Sequence, residues 1–534
     1  MEFVTSTYLL DAEDGYVYDF AARKLRTASM QPIRLDLMYT CRIVAREMRG
    51  MALRLHTVTF STVYSEDVRG TAGLWDTIMQ FYHGHPFPKL YQLQHLVPLM
   101  SDQMAAEVGR RYGGTHFYQV FCRIRIEGLV TDDSRYRDDD AVQGFGEVPS
   151  VFRDMARDVL QLALTDPAIL QFATTVAEHG DFEYQLLPAG DALSGLAEEP
   201  WQAPTASQAD SLGAKLAGTD SIDRPVELTT HWYRCDVQQS RGSMSRFSAA
   251  AAAINFLESI PDSRAQFRNI VLHEDRISVA FPQCHVRGLV PFCHENPDLR
   301  IERRVSLWRN IFLTTPWTFR GWCRELDDLF LGACPDFYGN PCILEADTIT
   351  RRVAEYMVEA AQPQVPEAIT LVLDGAPLPS LASRIFSETV QRDAAWQTAL
   401  ERAFAAPEEP PGAGATATAP VDALYVRRAA PYQFAGFPEL LRAVCAGSAG
   451  AGAGGTPTTC RVRCNFDPGE PWDDARIEAE IERPVGRGAD LRRWTELWER
   501  GDTGGYGTEP PLPPYHRMFE ENVLCLPYAP PEWD

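Results

Sequence analysis

Two Cys-His dipeptides, Cys284-His285 and Cys293-His294, hold the residue types that zinc prefers, thiolate sulfur and imidazole nitrogen. Their spacing works against a shared ion. Adjacent residues on a strand point to opposite faces, and neither pair has the spacer of roughly two to four residues that lets neighbours chelate. Buried thiols and surface imidazoles are therefore the expectation for these four positions, with no metal assigned. Cys460 and Cys464 have a workable spacer but find no second pair. Nucleophilic chemistry lacks a linear signature as well. No Gly-x-Ser-x-Gly elbow occurs, and Leu193-Ser194-Gly195 misses the flanking glycine. Cys41 and Cys122 lie in apolar patterns that suit core thiols. Neither a phosphate loop nor a dinucleotide fingerprint is present, so no cofactor is expected. The acidic run Asp132-Asp133 with Asp138-Asp139-Asp140 lacks the central glycine and closing glutamate of a calcium loop and reads as a solvated turn.

The chain has 534 residues, 45% hydrophobic, 10% aromatic and 23% charged, a globular composition long enough for several packed units. Fifty Lys and Arg against seventy-three Asp and Glu give a formal charge of −23. That balance opposes broad binding to nucleic acid or anionic lipid, so neither nucleic acid nor membrane is expected as a partner. No apolar run approaches the roughly 18 residues of a membrane span. The opening Met-Glu-Phe-Val-Thr-Ser lacks the basic and apolar regions of a secretory signal. Twelve scattered cysteines then read as reduced thiols, which places the protein in the cytoplasm or nucleus.

Periodicity supplies the elements that must position any site. Two short strands are expected within Asp14–Phe20 and Lys24–Arg26. The apolar stripe Leu37, Cys41, Val44, Met48, Met51 and Leu55 predicts a helix, followed by a strand at Thr57–Val63. Helices are predicted at Leu74–His83, Asp102–Tyr112 and Val151–Phe172, the last split at Asp166-Pro167. Phe117–Ile126 alternates and predicts a strand. Further on, Ser243–Ser259 predicts a helix and Asn269–His273 pairs with Ile277–Phe281 as a hairpin. Helices follow at Ile301–Phe312, Phe319–Leu331, Asp347–Ala361, Val390–Phe404 and Asp490–Arg500, with a strand at Ile369–Leu373. The fold class is a helix-rich α+β arrangement of several packed helices with short antiparallel strands and hairpins, interrupted by flexible linkers. The segments are 1–65; a first block at 66–186; a linker or insertion at 187–225; a second block at 226–405; a linker at 406–422; a short helical segment at 423–446; a Gly/Ala linker at 447–457; and a C-terminal segment at 458–534 with a Pro-rich tail.

The unit from Leu35 to Phe60 resembles the second half of the fungal F-box-like domains that carry two Glu-x-Arg motifs. Leu37-Met38, Thr40-Cys41-Arg42, Glu47-Met48-Arg49, Ala52-Leu53 and Phe60 follow that half in order. The Asp14–Phe20 strands fit the family's usual insertion. The resemblance implies a protein-interaction role in which Glu47 and Arg49 belong to the interacting unit. The first Glu-x-Arg and its Leu-Pro helix are missing, so docking to a ubiquitin-ligase adaptor does not carry over. Read from the residues alone, Glu47 and Arg49 are two apart and cannot face each other on a helix; local packing is their plainer role. In the tail, Pro511, Pro513 and Pro514 with Tyr515 have the form of a polyproline II ligand for an aromatic groove, or of an arm folding over its own domain. The sequence thus points to a non-enzymatic protein-interaction module with an unknown protein partner. The alternative is an enzyme whose acid and base residues only the fold brings together.

Overall fold

The computed structural model describes residues 15–33, 39–79, 93, 95–127, 146–179, 197–217, 245–313, 344–405, 426–427, 429–450, 461–486, 489–501, 504–515 and 517–518. Several short segments bury every second residue: Tyr16 and Tyr18; Val58 and Phe60; Ile270, Leu272 and Glu274; Ile301, Arg303 and Val305; Ile369, Leu371 and Leu373. A period of two is what a strand with one packed face demands. The strands are β1 (Tyr16–Asp19), β2 (Lys24–Thr27), β3 (Thr57–Ser61), β4 (Asn269–Glu274), β5 (Arg300–Ser306), β6 (Leu344–Glu345), β7 (Ile369–Asp374), β8 (Val462–Cys464) and β9 (Gly505–Tyr506). Seven of them form one sheet in the order β2-β1-β3-β4-β5-β7-β8, and β6 pairs with β9 apart from it. Only β2 runs antiparallel in the large sheet; β1, β3, β4, β5, β7 and β8 are parallel neighbours.

β2 lies outside β1 on the opposite edge; from β1 onward the parallel strands β3, β4, β5, β7 and β8 each join one growing edge, so right-handed crossovers between them return over one face. Among the described residues, the α-helices of five or more residues are α1 (Arg42–Met48), α2 (Met51–Leu55), α3 (Glu66–Met79), α4 (Asp102–Tyr112), α5 (His116–Glu127), α6 (Pro149–Ala163), α7 (Pro167–His179), α8 (Ala206–Ala217), α9 (Ala249–Ser259), α10 (Val290–Glu295), α11 (Ala346–Ala361), α12 (Pro379–Ile385), α13 (Gln391–Phe404), α14 (Phe437–Gly450) and α15 (Leu491–Gly501). Beneath β1, β3, β4 and β5, the aromatic and aliphatic residues Tyr18, Phe60, Leu272 and Ile301 pack with Trp75 and Ile78 of α3 and with α9. Ala249 to Ala253 of α9 are all fully buried, and their small side chains let that helix lie close to the sheet. Beneath β5, β7 and β8, Val305, Leu371, Leu373 and Val462 pack with α11, α12 and α14. A helical cluster from α4, α5, α6 and α7 and another around Trp396, Trp494 and Trp498 lie beyond these. Among the described residues no helix is long and apolar enough to cross a membrane.

A helix-rich mixture of α and β is what the structure holds, but its sheet is mainly parallel and not built of short hairpins. Asn269–Glu274 has both edges taken, by β3 and β5, so Ile277–Phe281 has no edge left and forms no strand. Arg300–Ser306 is a strand where a helix over Ile301–Phe312 was expected. Phe117–Ile126 is helical: Phe117, Val120, Phe121 and Ile124 are buried at helical spacing, whereas Ile126 is 83% exposed. The helix expected through Leu55 is broken at Gly50, whose φ of 72° separates α1 from α2. The 187–225 stretch contains α8, seated through Ala209 and Leu212. Within segment 1–65, β3 pairs with β4 along its whole length, so the described strands of that segment belong to the large sheet. The helix at Phe319–Leu331, the Asp132–Asp140 run and the 406–422 linker lie outside the described residues. The expected split at Pro167 is present, with Asp166 Oδ1 accepting the Ala168 N–H at 2.8 Å.

Two glycines make opposite demands. A Cβ on Gly15 would stand 2.4 Å from the Thr57 carbonyl oxygen, at a φ of +79°, whereas Gly70 in α3 has nothing within 4 Å. Gly15→Ala is expected to destabilise by about 2 kcal/mol or more, and Gly70→Ala to stabilise by about 0.5–1 kcal/mol. Urea unfolding of the two variants checks both signs.

Candidate functional site

The packed side of the sheet carries charge where apolar residues would be expected. Arg303 and Glu274 sit opposite each other's strands, 1% and 0% exposed, with Nη2 of Arg303 2.6 Å from Oε2 of Glu274. The guanidinium also donates to the Gln283 and Pro282 carbonyls at 3.0 and 2.6 Å, and lies 5.3 Å from the Tyr356 ring centroid. Tyr356 donates to Asn310 Oδ1, whose amide in turn donates to the Arg276 carbonyl. Such a pair roughly breaks even against apolar replacements, yet losing one partner leaves a buried charge that costs about 3–5 kcal/mol. Next to it, Arg153 of α6 donates to the Cys284 sulfur at 3.2 Å, and Glu359 of α11 accepts from the Ser150 amide and hydroxyl. Burial raises the carboxyl of Glu359 and the thiol of Cys284. These contacts tie α6 and α11 to the 3-10 turn Pro282–Leu289 that follows β4.

The same turn also places a hydroxyl beside an imidazole. Ser248 caps α9, accepting the Ala251 N–H at 2.9 Å, and its hydroxyl lies 2.7 Å from Nδ1 of His285. Nε2 lies 2.6 Å from the Ala280 carbonyl, which can only accept, so Nε2 carries the proton and Nδ1 accepts from Ser248. Both residues are at most 1% exposed. Among the described residues the imidazole's partners are Ser248 and Ala280, and the pair joins α9 to the strained Ala280-Phe281 turn, where φ is 63° and 59°.

The four metal candidates are not brought together. Cys284 and His285 are held as described, Cys293 is buried with its thiol pushed up to about 11, and His294 is exposed. Among the described residues no three His, Cys, Asp or Glu side chains gather as a metal would require. Glu47 and Arg49 are both exposed at the end of α1, where the Arg49 N–H closes the helix on the Arg46 carbonyl. The proline arm is docked on its own body. Leu512, Tyr515 and Met518 are buried among the residues under β5 and β7, and the Tyr515 hydroxyl donates to the Phe312 carbonyl at 2.7 Å. Pro511 and Pro514 face outward, Pro513 is half-buried, and the Leu512 N–H bonds the Glu509 carbonyl, so the segment turns instead of running as an extended rod.

What the sequence reading missed is the other face of the sheet. Thr57, Thr59 and Ser61; Asn269, Val271 and His273; Arg300, Glu302, Arg304 and Ser306; Thr370, Val372 and Asp374; and Arg463 alternate with the buried residues and are half-buried or exposed. Parallel sheets are ordinarily covered on both faces. Among the described residues this side stays half-buried or exposed, and the order of the six parallel strands lacks the point where crossovers diverge, which is where open α/β sheets form a ligand crevice. A separate open cavity of about 400 Å³ between α13, α14 and Trp472 is lined by Arg402, Arg442, Glu401, Glu439 and Asp474; Arg402 pairs with Asp474, Arg442 with Glu439, and Glu401 accepts from Gln397. No family model matches the chain, and neither a curated protein nor a solved structure is similar to it.

Burial holds the His285 imidazole neutral down to about 3, against an ordinary value of 6.5. The unfolded chain takes up that proton as pH falls through 6.5, whereas the folded chain does not until about 3. The stability it supports is complete above 6.5 and is lost on the way down to 3. Between pH 6 and 5, wild-type unfolding free energy is expected to fall faster than that of His285→Gln, by up to about 1.4 kcal/mol per pH unit. Parallel pH profiles would contradict this role.

Proposed function

We propose that this chain is a protein-interaction module without a catalytic role, and that it meets its partner on the bare face of the sheet. The observation that carries the reading is the one-sided sheet itself, a rigid surface of outward side chains fixed in register by main-chain hydrogen bonds. His285, Glu359 and Cys284, all shifted by burial, lie on the packed side and are engaged in joining elements there. Kinship of the β1–β2 hairpin and the α1–α2–β3 unit with the second half of the F-box-like domains belongs to the same proposal. The order of hairpin, helix and aromatic-ended strand supports it, as does the exposure of Glu47 and Arg49. Adaptor docking is not part of it. The free thiols Cys41, Cys122, Cys284, Cys293, Cys445 and Cys464 suit the cytoplasm or nucleus.

A bulky pair of substitutions on the bare face, Val271→Trp with Val372→Trp, leaves the packed side untouched. The tagged full chain is expected to retain its melting temperature to within about 3 °C and to lose its co-purifying partner about tenfold. Stoichiometric capture that is indifferent to both substitutions, or a wild-type monomer with no stoichiometric partner, would count against the proposal.

A further inference from the structure

We propose that the row His273, Arg304 and Arg463 on the bare face receives the carboxylates of an acidic, extended segment of a partner protein. This rests on the interaction reading above and adds the chemistry of the occupant. Strand register aligns Ser61, His273, Arg304, Val372 and Arg463 across β3, β4, β5, β7 and β8. With strands about 4.8 Å apart, the three basic side chains lie in line within about 15 Å. Half-buried Val372 lies within that line, and Val271 lies beside it on β4; both can take the apolar stems of a bound segment.

The charge of this face departs from that of the chain. Acidic residues outnumber basic ones by seventy-three to fifty in the whole sequence. On the bare side of the sheet, Lys24, Arg26, Arg300, Arg304 and Arg463 stand against only Asp19, Glu302 and Asp374. Each of those carboxylates is already committed. Asp19 binds Arg26 at 2.6 Å, Glu302 binds Arg304, and Asp374 accepts from Asn465 and from the Ala376 N–H. Among the described residues, the side chains of His273 and Arg463 have no partner, and both are exposed. The Arg304–Glu302 pair is half-exposed, and such pairs contribute little, so Arg304 can exchange Glu302 for an incoming carboxylate. At physiological ionic strength charges beyond about 8 Å are screened, so the overall negative charge does not prevent this local contact. That same negative charge disfavours a polyanion long enough to leave the row.

The test is fluorescence anisotropy of the full chain with three labelled peptides of about ten residues, alternating Ser with Glu, Gln or Lys; the Glu peptide is expected to bind about tenfold more tightly than the Gln peptide at low salt. Arg463→Glu alone is expected to weaken the Glu peptide at least about threefold. Arg463→Glu combined with His273→Glu is expected to reverse the preference toward the Lys peptide. Equal binding of Glu and Gln peptides, or an Arg463→Glu chain that binds the Glu peptide undiminished, would overturn the proposal. So would tighter binding of a short oligouridylate with the same dependence on Arg463. If the Glu peptide fails while the Val271→Trp, Val372→Trp chain still loses its partner, the interaction reading stands and this one falls.

Discussion

Much of this architecture follows from six parallel strands laid down in one direction across the sheet. Because β1, β3, β4, β5, β7 and β8 are added in sequence to one edge, their crossovers share a face. Among the described residues, one side of the sheet becomes a core and the other stays half-buried or exposed. The division is visible residue by residue: Ile270, Leu272 and Glu274 are buried, and Asn269, Val271 and His273 are not. The six parallel strands are added in one direction, so among them there is no switch point of the kind at which open α/β sheets form a ligand crevice.

Burying one face would be routine if that face were apolar, but Arg303 and Glu274 occupy its middle. The cost of desolvating them is offset by the Pro282 and Gln283 carbonyls and by Tyr356 of α11. In return the ionic layer fixes where three helical clusters meet the sheet. Apolar contacts alone are less directional, and many alternative packings fill the same volume. His285, Ser248 and Cys284 belong to this layer, which is why residues that could do chemistry are spent on joining elements.

Much of the helical scaffold was legible. Asp102–Tyr112, the break at Asp166-Pro167, and the helices ending at Ala361, Phe404 and Gly501 follow from stripe and cap signals close in sequence. The β5 strand was hidden by its own key residue. Arg303 puts a charge where alternation requires an apolar side chain, so Ile301-Glu302-Arg303-Arg304-Val305 loses its period of two. Phe117–Glu127 failed the other way, because Phe117, Val120, Phe121 and Ile124 satisfy a helix while their neighbours mimic alternation. Pairing direction was out of reach, since the partners of β4 lie far away in sequence at Thr57–Ser61 and Arg300–Ser306. The bare face could not be seen for the same reason: outward threonines and charges on separate strands become one surface only through register.

Thiol labelling of cysteines placed on the two faces tests the one-sided sheet most directly. Val271→Cys and Val372→Cys stand on the bare side, and their neighbours Leu272→Cys and Leu371→Cys on the packed side. Peptide-resolved mass spectrometry of the folded chain is expected to find the first two modified by a maleimide at least about a hundredfold faster than the second two, as local opening protects buried positions. Equal protection of all four would reveal a second layer over the sheet and contradict the whole interpretation.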